Sequence, residues 1–137
     1  MDESKRKKRS GKLPKVDDHH FRSNCSISRT LELFGDKWTL LVIRDLMWHG
    51  KHTFKELADA EGIPSNLLSN RLQRLIDWGL ARRERYLDKP VRYTYHLTDA
   101  GLELEDALLQ IMAWGNRHLG GGLYKPGREG TDRHNPA

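Results

Sequence analysis

The chain has 137 residues, 36% hydrophobic and 31% charged, with a formal net charge of +5, which is room for one domain with a modest core. No apolar run approaches the roughly 20 residues that span a bilayer, and the basic N-terminal cluster is not followed by the apolar stretch of a secretory signal. A single cysteine excludes an internal disulfide framework, so a cytoplasmic protein without membrane association is expected. In chain order, residues 1–24 ("MDESKRKKRSGKLPKVDDHHFRSN") lack apolar periodicity and read as a disordered basic tail of net charge +4. The ordered body is expected over residues 25–119, and residues 120–137, rich in Gly and charge, read as a flexible C-terminal tail.

The first helix is expected from about Ser26 to Phe34, where Ile27, Leu31 and Phe34 fall at i, i+4 and i+7. Gly35 ends it and Asp36 can cap the next. That second helix, "KWTLLVIRDLMWHG", is apolar around most of its girth and should be the most buried element. "TFKE" fits a capping box with Thr53 as N-cap and Glu56 at N3, opening a short third helix, "FKELADAE". Gly62 supplies a turn, and Pro64 suits the first position of a fourth helix. Two short helices joined through a glycine turn have the sequence form of a helix-turn-helix.

In the fourth helix Leu68, Leu72, Leu75 and Ile76 cluster on one face, with Asn66, Asn70, Gln73, Arg74 and Asp77 on the other. Gly79 terminates it. "ARRERYL" and "VRYTYHL" read as two strands joined by "DKP", with Val91, Tyr93, Tyr95 and Leu97 on one face and Arg92, Thr94 and His96 on a basic outer face. Thr98 can cap a last helix running to about Leu119. Its stripe of Leu104, Leu108, Ile111, Met112, Gly115 and Leu119 is wider than one small body covers, which implies a partner protomer.

The body is neutral but its charges are sorted. Residues 64–97 carry a net +4 and residues 98–119 a net −3, a pattern that sets one face toward a polyanion. The order of helices followed by a basic hairpin is that of a winged helix-turn-helix.

"CSISRTLELFGDKWTLLVIRDL", "TFKELADAEGIPSNLLSNRLQRLIDWGLARR" and "KPVRYTYHLTDAG" resemble the HxlR-type transcriptional regulators, a branch close to the MarR regulators. The resemblance rests on Cys25, the Gly35-Asp36-Lys37-Trp38 turn, Arg44-Asp45-Leu46, Phe54-Lys55-Glu56-Leu57, Gly62-Ile63, Arg71-Leu72, Leu75, Gly79-Leu80, Arg83, Pro90, Arg92, Tyr95, Leu97-Thr98 and Gly101. It covers residues 25 to about 119. The long basic tail departs from the family pattern, which starts only a few residues before the Cys25 position. The resemblance implies a dimeric DNA-binding regulator of prokaryotic type.

Base edges in the major groove are read by paired donors and acceptors, and an Asn amide can bond adenine N6 and N7 together. Asn66 and Asn70 stand at i, i+4 on the outward face. Ser65 and Ser69 can donate to phosphate or base, Leu67 can meet a thymine methyl, and Gln73 shares the face. Arg71 and Arg74 flank it within reach of phosphate or guanine. Arg85, Lys89 and Arg92 form a wing for phosphate or the minor groove, whereas Arg83 fits a structural ion pair equally well. "KRKKR" in the tail can follow the DNA backbone or serve only solubility.

Cys25, at a helix start, is a candidate redox sensor, with an inert packing role as its alternative. Within the family some regulators sense oxidants through a cysteine there. His49 and His52 lack further ligands, so no metal is expected, and no cofactor. No nucleophile–base pair, acid pair or phosphate loop points to an enzyme.

The expected protein is mainly α with a small β-hairpin wing: a winged helix-turn-helix, dimeric through its terminal helices. Ile27 and Leu31 of the first helix join Leu104, Leu108, Ile111, Met112, Gly115 and Leu119 in the interface. Two-fold symmetry predicts a palindromic double-stranded operator with half-sites about one or two helical turns apart. Its inducer is not specified by any residue pattern. The competing readings are a winged-helix protein–protein interaction module and a non-specific basic DNA binder.

Overall fold

A computed structural model describes Leu13 and residues 21–122. Among the described residues six helices and one hairpin follow in order: α1 Ser26–Phe34, α2 Thr39–Trp48, α3 Phe54–Glu61, α4 Ser65–Asp77, β1 Ala81–Asp88, β2 Val91–Leu97, α5 Asp99–Leu102 and α6 Glu105–Leu119. The fold is mainly helical with a two-stranded antiparallel wing, as the periodicities predict.

α2 is the axis of the core. Val42, Ile43, Leu46 and Trp48 are buried there, and Phe34 of α1, Leu57 of α3, Leu68, Leu72 and Leu75 of α4, Ile63, Leu80, Ala81 and Leu108 complete the cluster. Each large side chain so buried contributes about 2 kcal/mol of transfer free energy. The capping box forms: the Thr53 side chain accepts from Glu56 N, and Glu56 accepts from Thr53 N. Gly62 adopts φ 70° at the end of α3, a left-handed turn that glycine accommodates without Cβ strain. Pro64 stands one residue earlier than expected, as the cap of α4, where its carbonyl accepts from Leu67 and Leu68 N. α4 closes in a Schellman motif: Leu80 N donates to Leu75 O and Gly79 N to Ile76 O, and Leu80 packs into the core.

β1 and β2 pair from Ala81↔Leu97 to Asp88↔Val91, with a bulge between Arg85 and Leu87. The base of the wing is strapped to the entry of α3. Thr53 bridges Thr94, Tyr95 N donates to His52 O at 2.8 Å, and His52 Nδ1 donates to Tyr95 O at 2.8 Å. His52 also stacks on His96, with ring centroids 4.7 Å apart. The expected outer face of β2 is therefore half covered at Thr94 and His96. The basic side chains divide between both faces: Arg82 faces Glu84 at 2.9 Å, while Arg83 lies over the Tyr93 ring at 4.2 Å. Arg83 is thus a stacked residue, with no ion pair among the described residues.

One helix was expected after Thr98, and two are present. Thr98 accepts from Gly101 N and donates to Gly79 O at 2.7 Å, fixing the short α5 to the end of α4. Gly101 lies against the Leu80 carbonyl so closely that a Cβ would sit 2.3 Å from its oxygen. This docking turns the chain at Glu103 and Leu104 before α6 begins. α6 is then tied to α2 by Trp48 Nε1 donating to Glu105 Oε2 at 2.9 Å.

The Phe21 and Trp78 ring centroids lie 6.3 Å apart, and the Arg29 guanidinium lies over the Phe21 ring at 4.9 Å. The "KRKKR" stretch, most of the expected N-terminal tail and residues 123–137 lie outside the described residues.

Candidate nucleic-acid interface

α4 presents Ser65, Asn66, Ser69, Asn70 and Gln73 to solvent while Leu68, Leu72 and Leu75 are buried. Five of the eight expected groove-facing residues thus share one exposed face. Gln73 Nε2 donates to Asp77 Oδ1 one turn on, at 2.9 Å. Leu67 is half-buried and packs against the core, so little of it is offered outward.

Arg71 and Arg74, expected to flank this face, are each bonded to tertiary neighbours. Arg71 Nε donates to Asp36 Oδ2 at 2.9 Å, and its Nη1 donates to Asn70 Oδ1. Arg74 Nη2 donates to the Glu32 carbonyl at 3.1 Å, and its stem lines a shallow cleft with Leu33, Phe34 and Trp78. Both arginines anchor α4 to the segment formed by α1 and the turn after it. The relevant partners are 35 and 42 residues away, which local spacing does not reveal.

Asp36 is the centre of this anchorage. Its carboxylate accepts from Trp38 N at 2.9 Å, Thr39 N at 3.1 Å, the Thr39 hydroxyl and Arg71. Partial burial pushes its pKa up. The bonds from Thr39, Arg71 and the two backbone amides outweigh that and hold it well below the usual carboxylate range. Asp45, buried in α2, has the opposite balance: burial raises its pKa against the pull of Arg44. Arg44 bonds Asp45 at 2.8 Å and Glu61 at 3.0 Å, joining α2 to α3.

At the wing, Lys89 and Arg92 are exposed, and neither has an acidic partner among the described residues. Arg85 lies 3.6 Å from Asp88. Burial, together with the neighbouring His52 and Arg82, lowers the His96 pKa, although Glu84 lies 3.7 Å away. His49 and His52 serve the fold: His49 lies 3.9 Å from buried Asp45 and His52 straps the wing. Among the described residues no group of three His, Cys, Asp or Glu could hold a metal.

The residues expected to form an interface between protomers divide into two sets. Leu108 belongs to the chain's own core, with Leu104 and Met112 packed against it and Gly115 half-buried. Ile27, Leu31, Ile111 and Leu119 are exposed, and so is Trp114. The wide stripe of α6 is one side core and one side surface. Cys25 is an exposed free thiol at the cap position of α1. The Arg29 guanidinium donates to Ser23 O at 2.7 Å and to Asn24 Oδ1 at 3.0 Å, just before it in the chain.

Residues 33–121, which hold the two-helix motif, the wing and α6, match the model of the HxlR-like helix-turn-helix family. The chain belongs to that family. A helix-turn-helix transcriptional regulator of Mycobacterium tuberculosis, MT3179, is 42% identical to this HxlR-like chain over 101 residues. That match covers 74% of the chain and 63% of the relative, so the chain spans less than two thirds of that protein's length. A structure described as a MarR-family regulator from Porphyromonas gingivalis superposes with a TM-score of 0.64 at 27% identity. It covers 77% of the HxlR-like chain and 99% of its own. The reduced form of the regulator YodB from Bacillus subtilis gives a TM-score of 0.58 at 26% identity, covering 74% and 100%. A diamide-treated form of YodB also matches, with a TM-score of 0.55 at 27% identity, covering 69% and 94%.

Proposed function

We propose that this protein is a sequence-specific transcriptional regulator that binds a palindromic double-stranded operator as a homodimer. The observation that carries the reading is the exposed amide and hydroxyl face of α4, backed by a buried leucine stripe and flanked by the Lys89 and Arg92 wing tip. An α-helix fits the major groove, where Asn and Gln amides and Ser hydroxyls meet base edges and phosphates. Arg71 and Arg74 hold that helix in place, and the wing supplies the sequence-independent phosphate contacts.

A selection from random duplexes, followed by fluorescence anisotropy on the winning sequence, tests this. The selected duplex is expected to be palindromic and to bind about a thousandfold more tightly than a scrambled one. Asn66→Ala is expected to cost roughly tenfold on the selected site and little on the scrambled one. Equal affinity for all duplexes with a steep salt slope would replace the proposal by a charge-driven binder. No measurable DNA affinity would favour a protein-binding winged helix.

Cys25 fits a signal input to the same regulator, because its thiol is exposed at a helix start. With one cysteine per chain, a two-electron oxidant such as diamide would take two electrons and two protons from two Cys25 thiols and join two protomers by an S–S bond. Cys25→Ser is expected to bind the operator like wild type in reducing buffer and to lose all oxidant-dependent release. A variant that still responds to diamide would remove Cys25 from the mechanism.

A further inference from the structure

The side chains of Asn70 and Arg71 are bonded to each other on the rim of the α4 face. A guanidinium carries only donors, so the atom of Asn70 that meets Arg71 Nη1 is its carbonyl oxygen, and the amide orientation follows. Arg71 is itself held. Its Nε bonds Asp36 at 2.9 Å, and the two side chains are only 16% and 22% exposed. Asp36 in turn is fixed by two backbone amides and the Thr39 hydroxyl at the start of α2. A continuous set of bonds therefore runs from the core helix to the outward amide of Asn70. The other exposed amide of the N-terminal turns of α4, Asn66, has no such tether among the described residues.

We infer that Asp36 and Arg71 are positioning residues that set the base preference of Asn70, making it a reader of guanine rather than adenine. The inference rests on the proposed role of α4 in DNA recognition. An untethered asparagine pairs with adenine by donating to N7 and accepting from the N6 amino group. Here Oδ1 is engaged by a cation, and a second donor arriving at that oxygen meets the positive guanidinium. What Asn70 presents outward is its Nδ2 group, with two donors and a nearby positive charge. Guanine offers N7 and O6, two acceptors side by side in the major groove.

Random-duplex selections on the full chain test this, with wild type run beside Asn70→Ala, Asn70→Asp and Arg71→Met. The position whose preference is flattened by Asn70→Ala is the one Asn70 reads. At that position wild type is expected to favour guanine over adenine by roughly tenfold. Arg71→Met, which frees Oδ1, is expected to turn the preference toward adenine and leave the rest of the consensus in place. Adenine preferred by wild type, or the same base preferred by Arg71→Met, overturns the inference. Should Arg71→Met fail to fold, judged by circular dichroism, Asn70→Asp at its exposed position decides. A carboxylate keeps the Arg71 bond but has no outward donor, so guanine preference should vanish; its persistence overturns the inference. A wild-type consensus that Asn70→Ala leaves untouched overturns the inference alone, whereas no consensus from any protein overturns the DNA-reading role of α4 as well.

Discussion

Asp36→Ala is expected to destabilise the domain by about 3 kcal/mol. A helix cap is worth about 1 kcal/mol, and a half-buried charge left without its partner costs on the order of 2 kcal/mol more. Both losses occur together, because the same carboxylate accepts from the first amides of α2 and from Arg71 of α4. Urea unfolding of the two proteins at neutral pH measures the difference. The sign of the pH dependence follows from the depressed pKa. Asp36 titrates lower in the folded protein than its ordinary value of 3.8. Its stabilisation is therefore fully present above that ordinary value and lost as the pH falls through the folded one. The gap between wild type and variant should be widest above about pH 5 and close only in strongly acid solution. Equal unfolding midpoints at pH 7 would show that Arg71 and α2 need no anchor at Asp36.

Paired Ile111→Glu and Trp114→Glu substitutions are expected to yield a folded monomer. Both side chains are 54% exposed in the single chain, so glutamate costs the fold little. Four carboxylates at a symmetric apolar interface would face an unfavourable desolvation and like-charge repulsion. Sedimentation velocity reads the change in mass. Affinity for a palindromic operator should fall by about a hundredfold or more, because each half-site is then bound alone. Leu108→Glu would not serve this test, since Leu108 is buried in the chain's own core and its loss would unfold the domain. A double variant that remains dimeric would move the interface away from α6.

Those two experiments touch the places where local pattern and final role diverge. The helical period makes Leu68, Leu72 and Leu75 one face of α4 and Asn66, Asn70 and Gln73 the other, and burial follows that division. The capping box at Thr53 and Glu56, the glycine turns and the alternation of the two strands are likewise local, set by backbone geometry within a few residues. Long side chains behave differently. An arginine stem lets its head group choose among several partners, and the choice depends on what the rest of the chain brings near. Arg71 and Arg74 lie beside the outward face by period, yet turn back to Asp36 and Glu32.

From its sequence alone the chain settles the capped start of α3, its wing, the polar face of α4 and its membership of a winged helix-turn-helix class, because those depend on spacing along the backbone. Tertiary structure alone decides that Leu108 is core while Ile111 is surface, although both sit on one stripe. It also decides that α5 breaks from α6 where Gly101 abuts Leu80. Finally, it alone shows that the amide of Asn70 is held by Arg71. Each of these depends on which distant surface a side chain meets, and that is set only when the helices pack.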